Sequence, residues 1–336
     1  MFPNGFCEMN AGPPGRNSYS SGTDTVASGD NSHAEGVNTA ATHDASHAEG
    51  YKTNASGMAS HAEGSSSTAS GDFSHAEGLQ TSASGLGSHT EGAKTEASDS
   101  GCHAEGNESN ASGKFSHAEG LKTNASGDAS HAEGNSSTAS GLFSHAEGTE
   151  TTASGNYTHA EGYKTTASGS CSHAQGICAK ATRVAQHAQS GAIFIREGDA
   201  QSSVMTLAAI TTDGTSRIMT ADGGNPTCVD RINVFTLEPG ATAMFALLIA
   251  ARTRDADEVM GWHIKGLITR PMTSGDVHIV GLPSLESWQG TAGTTHAWQV
   301  DIDADKAGQY LRIAVTGELG KTIGWIARLT TAELIY

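Results

Sequence analysis

A histidine returns every 14 residues, at His33, His47, His61, His75, His89, His103, His117, His131, His145, His159, His173 and His187, twelve times without an insertion. An uninterrupted short period constrains the fold strongly: one unit is too small to bury a core, so the copies must stack on one another. The fullest unit reads A-S-G-x-x-S-H-A-E-G-x-x-T-x. It divides into two similar halves of seven, each with Ala, then Gly two residues later, then Ser or Thr three later. A heptad coiled coil would need large apolar residues at the recurring positions. Here they are Ala, Gly and Ser, and each Gly would cost a helix about 1 kcal/mol. The pattern predicts a short strand in each half, near S-H-A-E and T-x-A-S, with a corner at each G-x-x where Gly supplies backbone angles that other residues resist. Stacked coils of this kind form two parallel sheets back to back.

Strand alternation then assigns the faces. Ser32 and Ala34 share one side of the strand, as do Thr39 and Ala41 in the second half-coil. Their small size suits the inside of a thin roll. The outward side carries a ladder: His33 with Glu35, His47 with Glu49, His61 with Glu63, His75 with Glu77, His89 with Glu91, His103 with Glu105, His117 with Glu119, His131 with Glu133, His145 with Glu147, His159 with Glu161, His173 with Gln175 and His187 with Gln189. Outward slots of the second half vary, as Asn54, Thr68, Ser82, Glu96 and Lys180 show, whereas the His never changes.

The 14-residue unit resembles the head repeats of YadA-type trimeric adhesins, and its A-S-G-x-x-S-H-A-E-G form resembles repeats in phage tail-fibre proteins. The resemblance implies a β-roll in which three chains pack around an axis, with the positions of His33 and Glu35 facing neighbouring chains. In that family these positions are usually apolar, and this sequence makes them ionisable.

Three readings of the ladder follow. In the first, His and Glu of neighbouring chains pair, since so many buried carboxylates are tolerable only with partners. Such pairing would raise the His pKa values and lower those of Glu. The second is metal binding, because His and Glu two apart on a strand share a face, although zinc sites are normally a few well-separated sets. The third is a solvated polar face. H-A-E-G is not the H-E-x-x-H of a zinc peptidase, so no catalytic residue, resident metal or cofactor is assigned.

Composition changes near residue 190. Residues 23–190 are poor in large apolar side chains, whereas residues 193–336 hold all four Trp and most of the Ile, Leu, Val and Met. The expected organisation is an N-terminal attachment segment (1–22), a shaft of twelve repeats (23–190), a transition (191–212) and a C-terminal domain (213–336). A formal net charge of −17 argues against nucleic-acid partners and anionic membrane surfaces. The N-terminus does not read as a secretory signal, and the longest apolar run, "ATAMFALLIAA", is too short to span a bilayer. A soluble protein without membrane insertion is expected. The five Cys match neither a disulfide scaffold nor a zinc template. Cys102 stands where other copies have Ser, and Cys171 and Cys178, half a repeat apart, are not expected to bond.

Beyond His187 come about eight runs with strand character, among them "SVMTLAAITTDG", "ATAMFALLIAART" and "TIGWIARLTTAEL", separated by turn signals such as "EPG" and "DADKAG". They predict a β-sandwich or jelly roll. Trp262, Trp298 and Trp325 lie in strand-like runs and are assigned to the core. Trp288 lies in the looser "LPSLESWQGTAG", where an exposed indole could stack on a sugar ring. The acidic loop of Asp255, Asp257 and Glu258 could hold calcium but is read as a solvated turn.

The succession "HAQSG", "GDAQSS", "ARTRDADE" and "VTGELGKTIGWIARL" resembles the carboxyl-terminal domain that follows such repeats in tail-fibre-like proteins of phages and related particles. The whole chain therefore reads as all-β, a homotrimeric parallel β-roll followed by a β-sandwich or jelly-roll-like domain. The resemblance implies a receptor-binding fibre on a virion tail or extracellular particle appendage, docked through its N-terminus to a tail or baseplate protein and binding a host surface glycan or protein. It is read as a non-enzyme. The alternatives are a glycan-degrading or self-cleaving tail spike, and a purely structural spacer.

Overall fold

The computed structural model describes residues 14–223, 233–254, 257–273, 275–290 and 296–336. The chain is all-β and divides into two compact units, Met1–Ala153 and Ser154–Tyr336. Parallel β-solenoid coils occur in both, with nine of the repeating histidines in the first and three in the second. Among the described residues no helix is long and apolar enough to cross a membrane.

In the first unit every coil adds one strand that begins at the repeating His, such as His33–Val37 and His47–Tyr51, and one at T-x-A, such as Ala40–Ala41 and Asn54–Ala55. The register is strictly like over like: His33 pairs with His47, Ala34 with Ala48 and Glu35 with Glu49. The interior is thin. Ala34, Ala41, Ala48, Ala55, Ala62 and Ala69 are fully buried, and Ser32, Thr39, Ser46 and Thr53 are buried beside them. Most of the Ser at the position of Ser32 also close their corner by donating a hydrogen bond to the carbonyl three residues back, as Ser60 does to Gly57 at 2.7 Å and Ser74 to Gly71 at 2.6 Å. Cys102 takes this Ser position, and its thiol donates to the Asp99 carbonyl.

The corners differ from the sequence expectation. In the H-A-E-G half the Gly does take angles that other residues resist, with φ between 94° and 127° from Gly22 to Gly134. In the A-S-G half the Gly is needed for space: a Cβ on Gly29, Gly57 or Gly71 would lie 1.9–2.0 Å from a backbone oxygen of the next coil. The left-handed residue of most corners is the second one after Gly, usually not a Gly, as at Asn31, Asn38, Lys52 and Phe73. Each such residue costs roughly 1–2 kcal/mol in backbone strain. Its N–H is satisfied by the preceding coil, as in Lys52 N to Val37 O and Phe73 N to Met58 O, both 2.8 Å. Strand Tyr19–Thr23 pairs in parallel with His33–Val37, so the stack takes in residues that the sequence reading placed in the N-terminal segment. The remainder of that segment, residues 1–13, lies outside the described residues.

In the second unit the coil strands His159–Tyr163, His173–Ile177 and His187–Ser190 run parallel. The chain then reverses, and Ala200–Thr211 pairs antiparallel with His187–Gln189. The transition segment thus supplies the first strand of an antiparallel sheet. Its order is Ala200–Thr211, Ile323–Ile335, Ala241–Thr253, Val259–Thr269 and His278–Gln289. A second sheet centres on Tyr310–Thr316, paired with Gln299–Asp305, Ser216–Ile218 and Phe235–Thr236. Phe245, Leu247, Trp262, Ile264 and Trp325 from the first sheet join Phe235, Leu311, Ile313 and Val315 from the second in one core. Each large apolar side chain buried there contributes about 1.5–3 kcal/mol.

Two departures from the repeat close the last coil. Arg183 stands where most earlier coils have Gly and Gln186 where most have Ser. Both are buried. The Gln186 side chain accepts from the N–H groups of Thr182 and Arg183 and donates to Ser203 Oγ. Arg183 lies over the Phe235 ring, donates to the Thr236 carbonyl at 2.5 Å and pairs with Glu333 at 3.6 Å.

Candidate functional site

The ladder is built by the sheet itself. Strands in register bring equivalent residues about 4.8 Å apart, and the imidazoles follow: centroids are 4.6–4.9 Å apart from His33 to His145, with ring planes within 8° of parallel. His159, His173 and His187 stack likewise in the second unit. Tyr19 sets its edge against the ring of His33.

Several of the carboxylates, Glu49, Glu63, Glu105 and Glu119 among them, lie between two imidazoles. One oxygen approaches the His of its own coil, as Glu35 does to His33 at 3.6 Å and Glu119 to His117 at 3.8 Å. The other reaches the following coil, as Glu49 does to His61 at 3.4 Å, Glu63 to His75 at 3.3 Å and Glu161 to His173 at 3.4 Å. Only some of these contacts have hydrogen-bond geometry. The Nε2 atoms of His33, His47, His61, His89, His103, His117, His131 and His173 are shielded from solvent without a hydrogen-bond partner. The side chains themselves stay about one-third exposed, 33% at His61 and 36% at His117.

Within one chain, burial and the stacking of like on like set the electrostatics. Burial, followed by repulsion from the imidazoles above and below, lowers the pKa of His47, His103, His131 and His173, and burial with His75 lowers that of His89. Within the chain the nearby carboxylates do pull these values up, but burial and the stacked rings outweigh them. The carboxylates alternate. Hydrogen bonds shared with Glu91 and Glu119 raise Glu105 to about 7, and those with Glu147 and Glu119 raise Glu133 to about 7. Glu91 and Glu119, accepting those protons, are lowered. A carboxylate stack in contact ionises at every second position more easily than at all of them.

In the C-terminal sheets, Trp262, Trp298 and Trp325 are 5%, 4% and 3% exposed and form a cluster, with ring centroids 5.4 and 5.9 Å from that of Trp325. Trp288 is 55% exposed. It lies in strand His278–Gln289 rather than in a loop, a correction to the sequence reading, and pairs with Gly261. A side chain added at Gly261 would meet the Trp288 ring at 3.8 Å, so the indole lies across the bare glycine. Leu248, Ile326 and Arg328 line the same shallow depression. This is a flat apolar platform with a cation at its rim. In the acidic turn, Asp255 lies outside the described residues, Asp257 pairs with Arg252 at 3.0 Å and Glu258 with Lys321 at 2.9 Å. Cys171 is exposed and Cys178 buried.

No protein-family model and no curated protein sequence matches the chain. Among solved structures, it is similar to the crystal structure of the Acinetobacter baumannii phage AM24 tailspike protein, with 9% sequence identity over 92% of this chain and a TM-score of 0.22. The match spans 54% of that protein's length.

Proposed function

We propose that this chain is the subunit of a homotrimeric, non-enzymatic appendage of a phage or contractile particle. Its coils pack on two further copies through the His/Glu ladder, and its C-terminal sheets engage a host surface glycan or protein. The observation that carries this reading is the set of partnerless Nε2 atoms of a histidine that recurs in every coil. A buried polar atom without a partner costs about 1–3 kcal/mol, and polar groups of adjoining copies would supply the missing bonds along the whole stack at once. The outer side of the C-terminal sheet supports association too. Ile210, Met244, Leu248 and Ile326 are all more than half exposed there, and adjoining copies would cover them. Weak contacts at a platform such as Trp288 would become effective when three are presented together. The repeat pattern supports a particle appendage, docked through its N-terminal segment to a tail or baseplate protein.

Sedimentation equilibrium of the full chain tests association: three chain masses are expected, and a monomer at micromolar concentration would overturn the reading. Binding of the full chain to candidate host cells tests the adhesive role, and its absence on every host that the parent particle adsorbs to would favour a spacer. Intact mass after expression and assay of glycan depolymerisation test self-cleavage and enzymatic action.

A further inference from the structure

We propose that the gaps between consecutive coils are three-donor sites for a divalent first-row transition ion, zinc in particular, which would take Nε2 atoms in place of the inter-chain bonds proposed above. The donor sets are His47, Glu49 and His61; His61, Glu63 and His75; His103, Glu105 and His117; and His117, Glu119 and His131. In each set one nitrogen or oxygen from every residue lies within 4.8 Å of the others. Zinc bonds of about 2.0–2.1 Å in tetrahedral array place donor atoms roughly 3.4 Å apart. The Glu49–His61 and Glu63–His75 pairs already stand at 3.4 and 3.3 Å. The imidazoles, stacked with planes within 3° of parallel, must both turn for their lone pairs to converge on the ion. The Nε2 atoms concerned, apart from that of His75, are shielded and partnerless, so an ion would satisfy them without displacing an existing bond.

The donor type selects the ion. Two imidazoles and one carboxylate suit zinc, nickel or copper, whereas calcium and magnesium require all-oxygen shells. Water completes the fourth position. The topology also limits the stoichiometry. Each Nε2 borders two gaps and can bind only one ion, so filled gaps alternate with empty ones. The nine ladder histidines of the first unit, His33 to His145, therefore make no more than four two-imidazole sites, with one ring left over. Between His173 and His187 the intervening residue is Gln175, which offers no anionic donor.

The experiment uses the full chain stripped with chelator, titrated with zinc chloride by calorimetry, with elemental analysis after desalting and cobalt(II) absorption as a readout of coordination. Binding of at least two ions per chain is expected, saturating at no more than one per two coils, with tetrahedral cobalt bands. The quadruple variant His47→Gln, His75→Gln, His103→Gln and His131→Gln leaves no two-imidazole gap from His33 to His145 and should retain at most one ion. Glu63→Gln, milder for folding, should weaken or remove one site, and His43→Ala, off the ladder, should change nothing. Fewer than one retained ion per chain, or equal binding by the folded quadruple variant, overturns the proposal. So does a loss of sites in His43→Ala matching that in Glu63→Gln. Sedimentation in chelator keeps the two readings apart: a trimer that binds no zinc overturns only this one, and a monomer that binds zinc overturns only the trimer.

Discussion

The Nε2 atom of His75 lies 3.3 Å from Oε1 of Glu63, a carboxylate of the preceding coil, while Glu77 of its own coil is 3.9 Å away. His75 is therefore shared between two carboxylates, and Glu63 in turn shares a hydrogen bond with Glu77. Pairing of this kind runs up the stack within one chain, so its protonation is collective.

The first consequence is a dependence of stability on pH. Glu105 and Glu133 are raised from 4.5 to about 7, so the folded state holds protons there that the unfolded chain releases. Their contribution is complete below pH 4.5 and is lost as pH rises through about 7. His47, His89, His103 and His131 are lowered from 6.5, so their contribution is present above 6.5 and is lost as pH falls through their folded values. In Glu105→Gln/Glu133→Gln the amide keeps a donor without titrating. Melting between pH 5 and 8, in chelator, should then lose less stability than the parent. After screening by solvent the difference is about 1 kcal/mol per site. Identical pH profiles would contradict it.

Two glycines separate steric need from conformational need. A Cβ on Gly57 would lie 2.0 Å from the Gly71 carbonyl oxygen, backbone that cannot move without shifting a coil. Gly57→Ala should cost about 3 kcal/mol. Gly87 has φ +61° and open space around it, and Ala45 and Ala59 occupy the same corner position with φ 56° and 52°. Gly87→Ala should cost only about 1–2 kcal/mol. Denaturant midpoints of the two variants test the contrast, and equal losses would refute it.

The Arg183–Glu333 pair is the third test. Arg183→Ala leaves the Glu333 carboxylate, 9% exposed, without its cation and should cost about 3–5 kcal/mol. Arg183→Met/Glu333→Gln removes both charges while keeping volume, and should recover part of that loss in chemical denaturation. A double variant no more stable than Arg183→Ala would show that the Phe235 and Thr236 contacts dominate.

The tryptophans divide by role. Trp325→Ala removes a buried ring and its 2.9 Å hydrogen bond to Thr211, and should cost about 3–5 kcal/mol in thermal or denaturant unfolding. Trp288→Ala should change stability by less than about 1 kcal/mol. Under the proposed function it should also weaken host-cell binding at least tenfold, and unaltered binding would remove Trp288 from the ligand surface.

Much of the coil was legible because its alternation is short and repeated. Ser32, Ala34, Thr39 and Ala41 lie inside, where their size and spacing placed them. The plug at the last coil had a visible signal, "ATRVAQHAQ" against "ASGSCSHAQ" one period earlier, although nothing in it identifies Glu333 or Thr236 as partners. The left-handed corners were hinted at by Asn31 and Asn38, since Asn tolerates that conformation, and then hidden by Lys52 and Phe73. Trp288 was misplaced because Pro283 reads as a loop residue, yet the edge strand accommodates it.

By itself the sequence determined the period, the inward and outward faces of each coil, and the richer core of the C-terminal half, because these depend on residue size and near-neighbour geometry along the chain. The tertiary structure alone decided that the stacked imidazoles shield their Nε2 atoms, that alternate carboxylates are raised and lowered in pKa, and that Arg183 meets Glu333. Those relationships join residues of different coils or distant strands. Their energies depend on distances across the sheet, which local alternation does not encode.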